Sequence, residues 1–429
     1  MDLLFFERIK KYFSVPEVVD RLKFTFLVLL VYRFGSFVIL PSVDYAMVES
    51  TQNNGNGASG LLGLLDVFVG GAFSNISILA LGIMPYISAS IIVQLLSAII
   101  PQLQKMRSEG ESGTRRISQI TRYLAILIAF VQAFSYVNSY ASPYMVHNSG
   151  ILDFGLAILA LVAGAFFVIW LADRITEKGL GNGASVIMLA GILSRFPQAF
   201  TVGLFQNITS IPIFVLECIG FLVMIFLAVI LSVAVRKIPI FFAKKTLNAQ
   251  QTENLSTEKM DYIPFKLNFS GVMPIIFAQT VLVVPAYFLS KIDSDYFTGF
   301  SDPFSVTYNV MMVFLIFVFS YLYSALVFNS KNLADELKSS GVFIPGCKPG
   351  ADTAFYIDQV VSNLILPGAI FLSLHTIMPV IARKLGVSPE FSFFFGGTSL
   401  LIVVSVGLDL LSQIRAMSLQ VGYDKYSTK

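Results

Sequence analysis

An apolar stretch without a single charged side chain runs for 38 residues between Asp66 and Lys105. As one helix it would be roughly 57 Å long at ~1.5 Å per residue, whereas the hydrocarbon core of a bilayer is only about 30 Å thick. The stretch must therefore break. The pair Gly70-Gly71 is the predicted break, because glycine adopts turn conformations readily.

This break divides the stretch into a short half-helix, Leu61–Val69, and a full membrane crossing over about 76–100, which Ser74 or Asn75 can cap. A half-helix cannot cross a membrane, and lipid cannot satisfy its exposed backbone groups, so it must be buried in protein or line a cavity. Discontinuous helices of this kind usually mark a pathway, and a purely structural re-entrant segment is the alternative.

The composition agrees with a membrane protein. Hydrophobic residues make up 55% of the chain, charged residues 13%, and the mean hydropathy is +0.76, whereas soluble domains carry about twice that share of charge. We therefore predict an all-α polytopic membrane protein. Cys218 lies in an apolar span and Cys347 in a loop, and His147 and His375 are far apart, so we expect no disulfide, metal or cofactor.

Ten apolar segments are long enough to cross a bilayer. They are 24–40, 76–100, 118–138, 154–172, 184–204, 210–234, 270–290, 307–328, 360–382 and 393–414. With this arrangement 24 of the 29 Lys and Arg residues fall on one side of the membrane. By the positive-inside rule, we expect both termini in the cytosol.

The ten spans divide into two groups of five near residue 205. Because five is an odd number, the second group enters the membrane in the opposite orientation to the first. We therefore predict two inverted five-helix halves, 24–205 and 206–414, with the half-helix region at about 61–74. A cytosolic amphipathic arm (1–23) precedes them, and a cytosolic tail (415–429) follows.

Two longer cytosolic loops are predicted at about 235–268 and 329–358. Their basic residues are Arg236, Lys237, Lys244, Lys245 and Lys348, the last within a Pro- and Gly-rich turn. Positive-inside topology alone explains such charges. The alternative is a docking surface for a cytosolic partner, which the length and stiffness of the loops favour slightly.

The motifs argue against enzyme chemistry. The glycine run from Gly179 to Gly183 resembles a phosphate loop, but no Gly-Lys-Ser/Thr follows and no strand precedes it, so a turn between spans is the better interpretation. The spacing of the His, Cys, Asp and Glu residues fits no metal site. We predict that the protein is not an enzyme and does not bind DNA.

Ion-coupled transport of a small solute is the stronger rival function. Such transporters place ionisable groups near mid-bilayer, and Arg33, Glu217 and Asp409 lie within predicted spans. The middles of the spans are otherwise aliphatic. Ile83 and Ile87 share one helix face, and aliphatic rings of this kind can close a pore by dewetting. Helix packing explains the same spacing, so these residues alone leave a channel and a carrier open.

Longer motifs provide a resemblance. The matching stretches are ALGIMPYISASIIVQLL (80–96), EGESGTRRISQITRY (109–123), ITEKGLGNG (175–183), PFKLNFSGVMPIIF (264–277), SGVFIPGCKPG (340–350) and GGTSLLIVV (396–404). These stretches are spread over nearly the whole chain and stand in the same order as in the family, and in them the sequence closely resembles the SecY family, the central subunit of the bacterial protein-conducting channel.

The resemblance implies an hourglass pore between two pseudo-symmetric halves. Its constriction, the pore ring, falls by motif alignment on Ile83, Ile87, Ala184, Met188, Ile276 and Ile402. The half-helix corresponds to a plug in the outer funnel, with the side chains Leu61, Leu62, Leu64, Leu65, Val67 and Phe68, and Gly70 and Gly71 as its hinge.

The same resemblance implies a lateral gate between the second and third spans and the seventh and eighth, with Ser88, Gln94 and Asn268 as its polar residues. It also implies small membrane subunits of the SecE and SecG type, and a SecA motor ATPase or a ribosome on the cytosolic loops. The implied substrates are signal peptides and nascent secretory or membrane polypeptides, which pass into or across the lipid bilayer.

The chain departs from the family pattern at two of these positions. Ala184 stands where a bulkier aliphatic residue is usual, so the pore ring is expected to be looser there or sealed by the plug. Lys348 stands where an arginine is usual, and lysine cannot make the bidentate contacts of arginine.

Overall fold

A computed structural model describes residues 15–44, 46–48, 61–145, 150–206, 211–242, 261–268, 271–289, 302–387, 389–394 and 397–427. Lys244 and Lys245 lie outside these ranges. The helices α1 to α14 are, in chain order, Pro16–Gly35, Leu61–Val69, Met84–Ile99, Pro101–Ser108, Glu111–Tyr136, Ile151–Lys178, Gly183–Gln206, Ile211–Val233, Met273–Leu289, Val306–Val327, Ser330–Ser339, Ala351–Lys384, Pro389–Ser392 and Gly397–Ser427.

Each of the predicted apolar segments overlaps one of these helices. Within the described ranges, six helices are long and apolar enough to cross a membrane, or seven if the bent pair Met84–Ser97 and Pro101–Arg107 is one span. Large apolar side chains are exposed along them, as expected for surfaces that face lipid. The number of ten spans stays a prediction.

The predicted start of the second span is wrong. Residues 70–83 form a series of turns, and α3 begins only at Met84. Pro85 explains this start, because proline fits the first turn of a helix, where its missing N–H is not needed. Ser74 does not cap the helix, since its hydroxyl donates to Asp66 in α2.

Two further boundaries differ from the predictions. Part of the predicted arm, 1–23, is helical, because α1 begins at Pro16 and carries a Glu17–Arg21 ion pair one turn apart. The predicted tail, 415–429, continues α14 as far as Ser427, and its first residues, 415–420, are mostly good helix formers.

The mostly helical structure confirms the all-α fold class, and the predicted cytosolic loops add a small sheet to it. Strands β1 (Val235–Phe242), β2 (Asp261–Lys266) and β3 (Val342–Phe343) form an antiparallel sheet in the order β2-β1-β3. The β-branched and aromatic residues of β1 and β2 favour strands. The second loop, predicted over 329–358, also contains α11 and the first turns of α12.

This sheet packs on the beginning of α12. Ile238 and Phe265 are buried in one cluster with Ile357 and Val361 of that helix. Apolar burial of this kind is the main stabilising term in folding, so α12 supports the sheet. The largest hydrophobic cluster of the described residues instead joins α1, α2, α3, α5, α6, α7, α8, α9, α10, α12, α13 and α14.

Candidate functional site

The six pore-ring positions lie in this largest hydrophobic cluster. Ile83, Ile87, Met188 and Ile402 are buried in it, and Ala184 and Ile276 pack against it. Ile83 directly precedes α3, which carries Ile87. The other four positions lie on α7, α9 and α14, so residues from distant parts of the chain meet there.

The half-helix predicted from the glycine break is present as α2, with the predicted bounds Leu61–Val69. Phe68 belongs to the same hydrophobic cluster as the pore-ring positions, and Val67 packs against it. The remaining candidate plug residues lie on α2, but their side chains are outside the described part of the chain: Leu61, Leu62, Leu64 and Leu65.

The glycine pair after α2 adopts backbone conformations that few other residues adopt. The φ angles of Gly70 and Gly71 are 71° and 93°, in the left-handed region that favours glycine. Both residues also lie against α7. A Cβ atom added to Gly70 would be 2.9 Å from Cα of Gly191, and one added to Gly71 would be 2.7 Å from the Arg195 guanidinium.

A buried carboxylate connects α2 to its surroundings. Asp66 is 6% exposed. It accepts hydrogen bonds from the Ser74 backbone N–H at 2.8 Å and from the Ser74 hydroxyl at 2.7 Å. Its Oδ2 also forms an ion pair with Nη2 of Arg195 on α7. Buried charges are stable only when they are paired and hydrogen-bonded, and Asp66 meets both conditions.

The end of α2 receives further donors from α1 and α7. The Tyr32 hydroxyl donates to the Val69 carbonyl oxygen at 3.1 Å, and Nη1 of Arg33 donates to the Gly70 carbonyl oxygen at 2.5 Å. The Ser194 hydroxyl lies 3.4 Å from the same Gly70 oxygen. Cations and donors at a helix C-terminus satisfy its free carbonyls and complement its dipole. Arg33, in the last turn of α1, thus has a structural partner.

The candidate gate residues lie around α3. This helix contacts α9 and α10 as well as α5. Ser88 is buried on α3, and Nε2 of Gln94 donates to the Ser90 hydroxyl at 3.2 Å. Asn268, just after β2, is buried, and its Oδ1 has no hydrogen-bond partner within the described part of the chain.

The candidate docking residues that the structure describes are exposed. Arg236 and Lys237 lie on β1, and Lys348 lies in the turn before α12. The Lys237 ammonium lies 4.6 Å from the ring centroid of Tyr262 on β2. The sheet therefore presents basic side chains on a rigid support.

The candidate transporter residues lie on two helices. Glu217 is buried on α8, whereas Asp409 on α14 is exposed. Among the described residues, no group of three or more His, Cys, Asp or Glu side chains could hold a metal ion.

The sequence reasoning missed the contact between Asp66 and Arg195. The two residues are 129 positions apart, and no local pattern joins them. One signal was available, since Asp66 is the single carboxylate in an otherwise apolar half-helix, and such a residue needs a buried partner.

The structure thus defines a polytopic helical membrane protein in which a half-helix packs on an aliphatic cluster between several spans. The family model described as SecY matches residues 77–411. "Protein translocase subunit SecY" of Aquifex aeolicus is 36% identical over 434 residues, covering 98% of this chain and 99% of that protein. The chain belongs to the SecY family and is a multi-pass bacterial membrane protein.

Solved structures have the same fold. One is a structure of SecY in which the plug domain is said to stabilise the closed state of the translocation channel. It matches with a TM-score of 0.63 and 18% identity, and the match covers 93% of this chain and 92% of that one. The canine Sec61 ribosome-channel complex from the endoplasmic reticulum matches with a TM-score of 0.59 and 16% identity, covering 93% and 92%.

Proposed function

We propose that this chain forms a protein-conducting channel, which translocates unfolded secretory polypeptides across the plasma membrane and releases transmembrane segments sideways into lipid. The observation that carries the proposal is the hydrophobic cluster that contains the pore-ring positions together with Val67 and Phe68 of α2. The chain's membership of the SecY family supports the same function.

An aliphatic ring suits a substrate of any sequence. A pathway that conducts must bind its passenger weakly, so a polypeptide of variable sequence cannot pass through a site that recognises it tightly. Ile83, Ile87, Ile276 and Ile402 offer no charge or strong hydrogen bond. Met188 adds a flexible side chain that adapts to different passengers. When the ring is closed, the same apolar side chains exclude water and ions.

In this proposal α2 is the plug, and Gly70 and Gly71 are its hinge. The plug occupies the outer funnel of the resting channel and adds a second seal to the pore ring. Such a seal compensates for the small side chain of Ala184. The burial of Phe68 among the residues of the pore-ring cluster supports this role.

The lateral gate is proposed between α3 and α5 on one side and α9 and α10 on the other, with Ser88, Gln94 and Asn268 along it. An open gate lets each passing segment partition between pore and lipid. In lipid, each Leu or Ile stabilises the inserted segment by roughly 0.3–0.6 kcal/mol, and each charged residue destabilises it by about 2.5–3.5 kcal/mol. Apolar segments therefore leave sideways, and polar segments continue across.

The proposed topology places both termini and the sheet in the cytosol, with the two inverted halves at 24–205 and 206–414. Arg236, Lys237 and Lys348 then face cytosolic partners. We propose a ribosome or a SecA-type motor as these partners, and SecE- and SecG-type subunits in the membrane. The partner or the membrane potential supplies the driving force, and the channel itself needs no catalytic step.

Deletion of Leu61–Val69 tests the proposed channel. The complex of this chain with its small membrane subunits is reconstituted in planar bilayers, with the intact complex as control. We expect the deletion to raise the resting ion conductance, because the outer seal is lost. Unchanged conductance, or saturable uptake of one small solute that depends on Glu217 or Asp409, would contradict the proposal.

A further inference from the structure

The polar contacts of α2 lie on one set of helices. Asp66, Val69 and Gly70 are bonded to Tyr32 and Arg33 of α1 and to Ser194 and Arg195 of α7, apart from the bonds of Asp66 with Ser74. All these helices belong to the predicted N-terminal half.

Towards the predicted C-terminal half, α2 borders empty space instead. Val67 and Phe68 line a cavity of about 50 Å³ together with residues of α9, α10, α12 and α14, among them Gln279, Tyr308 and Thr376. The Tyr308 hydroxyl is buried and has no hydrogen-bond partner within the described residues. The half-helix is therefore held by ionic and hydrogen bonds on one side and by apolar contacts that border this cavity on the other.

We propose that Asp66 and Arg195 form an ionic latch, which holds α2 on α7 and sets how tightly the resting channel is sealed. The proposal rests on the function proposed above, in which α2 is the plug. It assigns a positioning role to two side chains outside the pore ring. The latch connects the plug directly to the helix that carries Ala184 and Met188 of the pore ring.

The two partners of the latch depend on each other unequally. The Asp66 side chain is 8% exposed, so without Arg195 its charge remains buried with only the donors of Ser74. The Arg195 side chain is 23% exposed and also donates to Gln198 Oε1 at 2.8 Å, so it keeps a partner when Asp66 is neutral. A buried charge left without its counter-charge is strongly destabilising.

Single and double substitutions test whether Asp66 depends on Arg195 more than Arg195 depends on Asp66. The measurement is the resting ion conductance of the reconstituted complex. Arg195→Gln is expected to raise the resting conductance about tenfold or more, because the buried Asp66 charge then favours displacement of α2 into water. Asp66→Asn is expected to raise it less. The double variant should return to the level of Asp66→Asn, since removing the carboxylate removes the unpaired charge.

Two controls separate the latch from the plug itself. Arg383→Gln removes an exposed arginine that lies 3.9 Å from Asp302, and it should leave the conductance unchanged. Deletion of Leu61–Val69 gives the conductance of an unplugged channel.

The outcomes then separate the two proposals. If deletion of Leu61–Val69 raises the resting conductance but Arg195→Gln leaves it at the level of the intact complex, the latch proposal is wrong and the plug proposal stands. A double variant as leaky as Arg195→Gln would also refute the latch. A deletion that leaves the resting conductance unchanged would refute both proposals. If Arg195→Gln yields no folded complex, recovery of folded complex in the double variant would still demonstrate the coupling, and no recovery would overturn it.

Discussion

At Gly191, the backbone of α7 approaches α2 so closely that no side chain fits between them. A Cβ atom at this position would lie 2.3 Å from the carbonyl oxygen of Phe68. We expect Gly191→Ala to push α2 away from α7 and to lower the stability of the complex by about 1–3 kcal/mol, as overpacking usually does. Thermal unfolding in detergent measures the loss, and ion conductance detects displacement of α2, the proposed plug.

Gly155→Ala is the matched control, because Gly155 lies in helix α6 and nothing lies within 4 Å of an added Cβ atom. This substitution should change stability by at most about 1 kcal/mol, in the stabilising direction, since alanine is the better helix former. Equal effects of the two substitutions would show that contact with α2 is not what makes Gly191 necessary.

Single residues were predicted to different extents. The glycine pair was predicted as a turn from its backbone freedom, and both residues have positive φ angles. Arg195 could not be assigned, because its partner is distant in sequence and the contact depends on how α2 and α7 pack. Ionic contacts of this kind follow from tertiary structure and not from local pattern.

Among the elements, the small sheet depends on one buried strand residue. Ile238 of β1 is 2% exposed and packs in one cluster with Ile357 of α12. We expect Ile238→Ala to destabilise the sheet by about 2–4 kcal/mol, through lost burial and the cavity left behind. Hydrogen exchange of the β1 and β2 amides should accelerate, and binding of the proposed cytosolic partner should weaken.

Val235→Ala provides the comparison, because Val235 on the same strand is 41% exposed. A change within about 0.5 kcal/mol is expected there. If both substitutions accelerated exchange equally, packing on α12 would not be what stabilises the sheet.

The elements differ in how clearly the sequence indicated them. The apolar segments matched helices, because long apolar runs have few alternatives in a membrane. The start of α3 was misplaced because continuous hydrophobicity hid the turns before Met84, although Pro85 is a helix-start signal. The strands were missed because β3 has only two residues, and because β1 and β2 each carry a proline, Pro239 and Pro264, that weakens the strand pattern.

For the molecule as a whole, charge placement was the most informative property, since the asymmetry of Lys and Arg predicts which loops face the cytosol. The packing of helices from distant parts of the chain around one apolar cluster was not predictable from composition or periodicity. The meeting of α3, α7, α9 and α14 at the pore-ring positions is a property of the assembled fold. Motif alignment with the family predicts all six positions, whereas local pattern indicated only Ile83 and Ile87.

A secretory polypeptide arrested during translocation tests the pore most directly. A photo-crosslinking residue is placed at Ile83 or Ile276, and for comparison at Leu159 on α6 or Phe226 on α8, which are 61% and 63% exposed. If the chain conducts polypeptides through the pore ring, Ile83 and Ile276 will crosslink to the arrested chain and the two exposed positions will label lipid. Crosslinks confined to Leu159 and Phe226, with Ile83 and Ile276 silent, would contradict a central pore.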